Sequence, residues 1–286
     1  MTEFRRVGIL GPGLLGGSIA LGMEKLHPKV GVRMWARSAQ RVSEIAAQGF
    51  SHATTDFDLV VGDADLIILA VPVGAMPDLA KRLIAAGVGG EQFVTDVGSV
   101  KVLPHETVGA PLKAAGIRFL GSHPMAGSDQ SGFSAASPDL FEGAPCILTN
   151  DGGLPDDDVN RLVAFWSGLG ARAAVMTGDE HDHLVARISH VPHVMAAICA
   201  LVALENEEDG HFAGGGLRDT SRVAGGDPAM WREILSENKA AVAGPLRQGA
   251  ELMQRLADLI EGGKEEALEA VLEEAQVRRR RLDNDL

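Results

Sequence analysis

The sequence predicts two successive domains: an α/β domain built on a mostly parallel sheet, then an all-α helical domain. Three observations predict this. Short β-rich runs alternate with helical stretches through the first half of the chain. β-type periodicity ends at a turn signal near Thr177 and Gly178, and every periodic segment beyond it is helical. The expected boundaries are therefore 1–177 for the first domain and 178–286 for the second.

The elements follow in order. Residues 7–10, 30–35, 66–71, 93–96, 117–120 and 146–148 read as strands, with an apolar helix over 14–23 directly behind the first. Residues 156–169 read as a helix and 171–176 as a further strand. Helical patterns then cover 180–204, 228–236, 239–260 and 264–282. The chain shows neither an internal repeat nor a low-complexity segment.

Composition narrows the function classes. At 286 residues, 45% hydrophobic and 23% charged, the chain is an ordinary globular sequence with material for one large core or two modest ones. Its longest uninterrupted apolar runs, 66–71 and 194–204, fall short of the roughly 20 residues that cross a bilayer, so no membrane partner is expected. Lys and Arg number 26 against 39 Asp and Glu, and the net charge of -13 opposes binding to nucleic acid. An anionic small ligand therefore needs a local basic pocket. The chain enters its first strand with neither an apolar leader nor an Arg-rich one, and Cys146 and Cys199 fit no metal or disulfide spacing. A cytoplasmic location is the expectation. Arginines 278–281 follow Glu265, Glu266, Glu269, Glu273 and Glu274 in one helical segment, a distribution that suits the helix dipole.

The run Gly11-Pro12-Gly13-Leu14-Leu15-Gly16 lies between the first strand and its helix. Glycine at 11 permits a tight turn, at 13 it lets backbone approach a pyrophosphate, and at 16 it lets the helix pack against the sheet. The amides at the helix start, around Leu14 and Leu15, then face the phosphates. Pro12 has no N–H to offer. A dinucleotide site that discriminates for NAD places a carboxylate at the end of the second strand. Here that region reads Trp35-Ala36-Arg37-Ser38. Arg37 can pair with a 2′-phosphate and Ser38 can hydrogen-bond to it, so NADP is the expected cofactor, with NAD as the alternative. Val71, Pro72, Ser99 and Lys101 follow predicted strand ends and are expected near the cofactor edge.

Three clusters could carry chemistry. His123, in Gly121-Ser122-His123-Pro124, is expected just after a strand at the sheet's carboxyl edge and is the candidate general base; an isolated histidine can equally be structural. Next come His181, Asp182 and His183, then His190 and His193, whose spacing can put both on one helix face. Neither HExxH nor paired cysteines accompany them, so no metal is expected. Third, Arg218, Asp219 and Arg222 follow a glycine turn at 214–216 and precede Trp231. Arginine grips carboxylates through two parallel hydrogen bonds, whereas pairing with Asp219 or Asp227 is the structural alternative.

The segments GPGLLGGS, TDVGSVK, GSHPMAGSDQSG, DEHD, SHVPH, GGGLRDTSR and DPAMWREI, in this order, resemble the prephenate and arogenate dehydrogenase family of tyrosine biosynthesis. The resemblance runs from about Val7 to Lys239. It implies a Rossmann-type domain followed by a helical domain that forms a homodimer, and NAD(P)-dependent oxidative decarboxylation of a cyclohexadienol that carries a ring carboxylate. By the same resemblance His123 accepts the C4 hydroxyl proton, Ser99 orients it and Arg222 binds a substrate carboxylate. His190 and His193 line the substrate pocket, with His181, Asp182, Asp219 and Trp231 as supporting or gating groups. Ser128 and Asp129 stand where many members carry Thr-Glu, and the shorter acid alters the reach of that loop. The helical pattern after Lys239 leaves no room for an appended ACT regulatory domain. Arogenate as substrate, a β-hydroxyacid dehydrogenase, and a redox sensor that binds NAD(P)H without turnover are the alternative readings; the last needs no combination of His123, Ser99 and Arg222.

Overall fold

The computed structural model describes residues 4–127 and 130–284. Eight strands form one sheet in the order β3-β2-β1-β4-β5-β6-β7-β8: β1 Arg6–Leu10, β2 Gly31–Trp35, β3 Ala53–Thr54, β4 Leu66–Leu69, β5 Phe93–Asp96, β6 Arg118–Pro124, β7 Pro145–Thr149 and β8 Arg172–Met176. Neighbouring strands run parallel except at the antiparallel β6–β7 pair, where His123 lies opposite Ile147. The seven strands expected from sequence are present. The two-residue β3 escaped notice because it is too short to show a period. β6 also extends past its expected end, so His123 lies within the strand rather than after it.

Helices between the strands are α1 Leu14–Leu26, α2 Ala39–Ala47, α3 Phe57–Val61, α4 Met76–Ala85, α5 Val102–Pro104, α6 Ala110–Ala114 and α7 Asp156–Gly168. A π-helical segment, His105–Gly109, joins α5 to α6. The sheet is apolar on both faces. One cluster, including Ile9, Met23, Phe141, Phe165 and Trp166, covers one face, and a second, including Leu10, Ile67, Leu69, Leu83 and Val94, covers the other. This two-sided burial produces continuous apolar strands such as Leu66–Leu69 in place of alternating ones.

Strand order reverses between β1 and β4, and the turns that follow their carboxyl ends meet there. Gly11 has φ +126°, and a Cβ on it would lie 2.2 Å from the carbonyl oxygen of Ala70. Only glycine fits that contact, which opens the crevice in which such sheets bind ligands.

After the sheet, α8 Gly178–Val185, a π-helical segment Ala186–His190 and α9 Val191–Ala203 form one continuous helix. Thr177 and Glu180 form a capping box that fixes its start. By length and composition this helix, residues 178–203, is apolar enough to cross a membrane. Its apolar character is not one uninterrupted run, because His181, Asp182, His190 and His193 break it. α10 Gly215–Ser221 and α11 Pro228–Glu237 follow, so Gly215 and Gly216 sit inside a helix where a flexible turn was expected.

By compactness the chain divides into residues 1–238 and 239–286. In the second unit α12 Lys239–Glu261 packs against α13 Glu265–Asn284 across a turn with Gly263 at φ +59°. α13 begins with Glu265 and Glu266, and Arg278 pairs with Glu274 on its exposed surface.

Candidate active site

The nucleotide crevice takes shape from the glycine turn. A Cβ on Gly16 would lie 2.1 Å from the Gly11 carbonyl oxygen, whereas one on Gly13 would meet nothing within 4 Å. Gly13 thus borders open space, as a backbone that a phosphate must approach should. Gly13 is the N-cap of α1, no side chain caps that helix and no acidic residue occupies its first turn. The amides at Leu14 and Leu15 are therefore free to bind an anion, which a nicotinamide dinucleotide would supply as its pyrophosphate.

At the end of β2, Arg37 is exposed, and Ser38 caps α2 by accepting the Arg41 amide at 3.3 Å. The Ser38 hydroxyl keeps its own proton to donate. Arg41, unnoticed in the sequence, reaches back from α2 to the Pro12 carbonyl at 3.2 Å and pairs with Glu44 at 2.9 Å. Nothing in the spacing of the glycines signals this cation. Val71 is half-buried, with a methyl 2.9 Å from the position of a Gly11 Cβ, and Pro72 beside it is exposed.

At the other end of the crevice a chain of hydrogen bonds runs inward from His123. Its Nδ1 lies 2.8 Å from Nε2 of His181, and Nδ1 of His181 lies 2.8 Å from Oδ1 of Asp182. Asp182 also accepts the backbone amides of Lys101 at 2.7 Å and Val102 at 3.0 Å. Burial opposes ionisation of Asp182, but hydrogen bonds from His181, Val102 and Lys101 outweigh it and hold the carboxyl below the usual range. Burial, reinforced by His181, Lys101 and His190, pushes His123 well below an ordinary imidazole. His181 is likewise lowered, chiefly by burial.

These protonation states fix the tautomers. A carboxylate only accepts, so His181 donates from Nδ1 and its Nε2 carries a lone pair. That lone pair accepts from Nδ1 of His123. The Nε2 of His123 is then left with a lone pair, and the imidazole is poised to take a proton. His181 was expected to support or contact a ligand. With no exposed surface and both ring nitrogens engaged, it stands behind His123.

Lys101, expected at the cofactor edge, points into the protein: its side chain is wholly buried, paired with Asp96 and donating to the Ser122 carbonyl at 2.7 Å. Ser99, three residues past Asp96, is half-buried and held on a turn whose Gly98 amide donates to Asp96 at 2.8 Å.

The helical side of the site centres on Trp231. His193 stacks on its indole at 3.6 Å, with the rings 9° apart, and His190 meets it edge-on at 6.1 Å. The two histidines share a helix face as their spacing predicts. Gly226 makes room for this stack, since a Cβ there would lie 2.6 Å from the indole nitrogen. Asn238 donates to the Asp182 carbonyl at 2.8 Å and lies 3.2 Å from Nδ1 of His190, so that nitrogen accepts and Nε2 of His190 carries the proton. Burial lowers His190 to about 4. The buried Nδ1 of His193 has no hydrogen-bond partner among the described residues, which makes it a candidate ligand atom.

Arg222 and Asp219 are exposed. The structural alternative for Arg222 finds no support: Asp227 caps α11 by accepting the amides of Ala229 at 2.7 Å and Met230 at 3.0 Å. Among the described residues Arg222 forms no ion pair, so its guanidinium is available to an anion. Ser128 and Asp129 lie outside the described residues. Asn238 and Arg41 carry no motif that would have singled them out, and Asp96, though part of the TDVGSVK segment, has no signal there of its burial with Lys101.

Comparison with known proteins agrees with this geometry. Residues 19–175 match a family model described as the nucleotide-binding domain of prephenate dehydrogenase, and residues 177–274 match one described as its dimerization domain. The chain is 34% identical over 240 residues, 82% of its length, to a prephenate dehydrogenase of Lactococcus lactis, of which it spans 65%. It is 32% identical over 248 residues, 85% of its length, to a cyclohexadienyl dehydrogenase of Zymomonas mobilis, of which it spans 84%. The crystal structure of prephenate dehydrogenase from Aquifex aeolicus in complex with hydroxyphenyl propionate and NAD+ superposes with a TM-score of 0.85 at 28% identity, covering 97% of this chain and 98% of that one. With both domain models matched in sequence and the relatives aligned over most of its length, the chain belongs to the prephenate dehydrogenase family.

Proposed function

We propose that this protein catalyses the NAD(P)-dependent oxidative decarboxylation of prephenate to 4-hydroxyphenylpyruvate. The observation that carries the reading is the His123–His181–Asp182 chain, which leaves a neutral imidazole with its lone pair at Nε2. That atom takes the proton of the substrate's C4 hydroxyl, and Ser99 orients the hydroxyl. The hydride that leaves C4 would pass to a nicotinamide held in the crevice. Loss of the ring carboxylate as CO2 then aromatises the ring, and the proton held on His123 returns to the phenolate oxygen, so the base ends the cycle neutral.

The remaining residues bind and orient. Arg222 grips a carboxylate of the substrate, and His193 and His190, set around Trp231, form the wall against which the ring rests. Asp219 supports Arg222. In a protein of net charge -13, a dianionic substrate needs this local cation.

The cofactor is held by Gly11, Gly13, Leu14, Leu15 and Gly16 at the phosphates and by Val71, Pro72 and Ser99 along the crevice. NADP is favoured over NAD: β2 ends without a carboxylate, and Arg37, Ser38 and Arg41 gather where a 2′-phosphate would sit. Residues 1–177 act as the dinucleotide-binding domain and 178–286 as the substrate and dimerisation domain. A homodimer is supported by the family description of residues 177–274 and by apolar side chains left exposed on that part, including Leu201 at 76% and Val202 at 74%. A cytoplasmic location is part of this reading, supported by the likeness to prephenate dehydrogenases.

Arogenate is the second reading, because one relative bears the broader name cyclohexadienyl dehydrogenase. Steady-state rates for prephenate and arogenate, each with NAD and NADP, test both choices together. Prephenate with NADP is expected to give the highest kcat/KM. Faster turnover of arogenate would overturn the substrate assignment, and a preference for NAD would overturn the cofactor assignment.

A further inference from the structure

A buried ion pair lies directly behind the candidate base. Lys101 and Asp96 are both fully buried and paired with one another. Such pairs are poor sources of stability, since the desolvation of two charges offsets most of their attraction and apolar replacements often do as well. The placement of this one calls for another explanation.

Lys101 touches the catalytic chain at both of its ends. Its Nζ donates to the carbonyl of Ser122 at 2.7 Å, the peptide that carries His123. Its backbone amide donates at 2.7 Å to Oδ1 of Asp182, the oxygen that holds His181. Asp96 completes the brace by accepting the Ser122 amide at 3.3 Å and the Gly98 amide at 2.8 Å, one residue before Ser99. The stem of Lys101 crosses Gly121, where a Cβ would lie 3.0 Å from its Cδ. The Lys101 ammonium with Asp96 therefore ties the Ser99 turn to the His123 strand, while the Lys101 backbone amide holds the α8 carboxylate.

We infer that Lys101 is a positioning residue for proton abstraction: its ammonium clamps the Ser122 peptide that carries His123, beside the Asp182 carboxylate held by its own backbone amide, and so fixes the base against Ser99. The buried ammonium also opposes a second positive charge on His123 and helps keep that imidazole neutral. The inference rests on the reading of His123 as the base.

The test uses the full-length protein with Lys101→Met, which keeps the stem and removes the ammonium. In case the orphaned Asp96 carboxylate prevents folding, the double variant Lys101→Met with Asp96→Asn removes both charges. In each folded variant kcat for prephenate is expected to fall by about tenfold or more, because a small displacement of the base is costly, while KM and cofactor affinity stay within about threefold. In Lys101→Met the NMR titration of the His123 ring should also move upward. Wild-type kcat in either folded variant overturns the inference, as does an unmoved His123 titration. Failure of the wild-type protein to consume prephenate would instead sink the functional reading, and the titration would still decide the role of Lys101.

Discussion

Asp182→Asn isolates the tautomer argument, because it changes one atom at the end of the chain and leaves the base itself in place. The two carboxylate oxygens accept three donors: the Lys101 amide at 2.7 Å and His181 Nδ1 at 2.8 Å on Oδ1, and the Val102 amide at 3.0 Å on Oδ2. An asparagine has one accepting oxygen and one donating nitrogen. If its nitrogen faces Val102, two donors confront each other in a buried site, at a cost of about 1–3 kcal/mol. If it faces His181, it donates to Nδ1, His181 must carry its proton on Nε2, and His123 must accept at Nδ1. The proton of His123 then sits on Nε2, where the lone pair is needed. The first arrangement keeps the tautomers but removes the carboxylate charge behind His181, whereas the second removes the working base, and general-base catalysis contributes about a hundredfold to ten-thousandfold. Turnover of prephenate should fall by about a hundredfold or more where the second arrangement holds and by less where the first does, with KM little changed. Steady-state kinetics with thermal melting in parallel provide the assay. A well-folded Asp182→Asn enzyme with kcat within about threefold of wild type would refute the tautomer argument.

Other consequences are directly measurable. Gly11→Ala and Gly13→Ala should separate fold from ligand: the first forces a Cβ to 2.2 Å from Ala70 and lowers Tm, whereas the second meets no protein atom, keeps Tm and weakens cofactor binding about tenfold or more. A Gly13→Ala protein that binds NADP as wild type does would move the pyrophosphate elsewhere. Arg222→Lys loses the paired hydrogen bonds of a guanidinium and should raise KM for prephenate by about tenfold with Tm unchanged, since Arg222 is exposed; an unaltered KM would remove it from the site. His190 is held neutral by burial, its folded value lowered to about 4, so the unfolded chain takes up the proton first. Its contribution to stability is complete above its unfolded value of about 6.5 and is lost as pH falls from there towards 4. Tm should drop across that window, and a smaller drop is expected in a folded His190→Gln protein; equal drops in the two would dismiss His190 as a source.

Much of the fold was legible because its signals are local. Period and turn chemistry mark β1, α1, β2 and the long helices, and Gly11 and Gly16 announce the turn they make. What stayed hidden depends on contacts between residues distant in sequence. β3 is a two-residue edge whose pairing with β2 has no signature of its own. Lys101, just past a strand end, reads as a residue of the cofactor edge, and only the fold buries it against Asp96 and Ser122. The histidines could be found by type, but not sorted: His181 and His123 are 58 residues apart, and their hydrogen bond assigns one to the relay and the other to the base. Arg41 likewise gains its place from a contact with Pro12 across 29 residues.

The account rests above all on His123 as the group that takes the hydroxyl proton. Its most direct test is the rate of reduced-cofactor formation from prephenate in wild type and in His123→Asn, with cofactor affinity measured alongside. Asparagine can fill the site and hydrogen-bond but cannot hold the proton, so the rate should fall by about a hundredfold or more while cofactor binding persists. A folded, cofactor-binding His123→Asn protein that turns over prephenate at the wild-type rate would contradict the account.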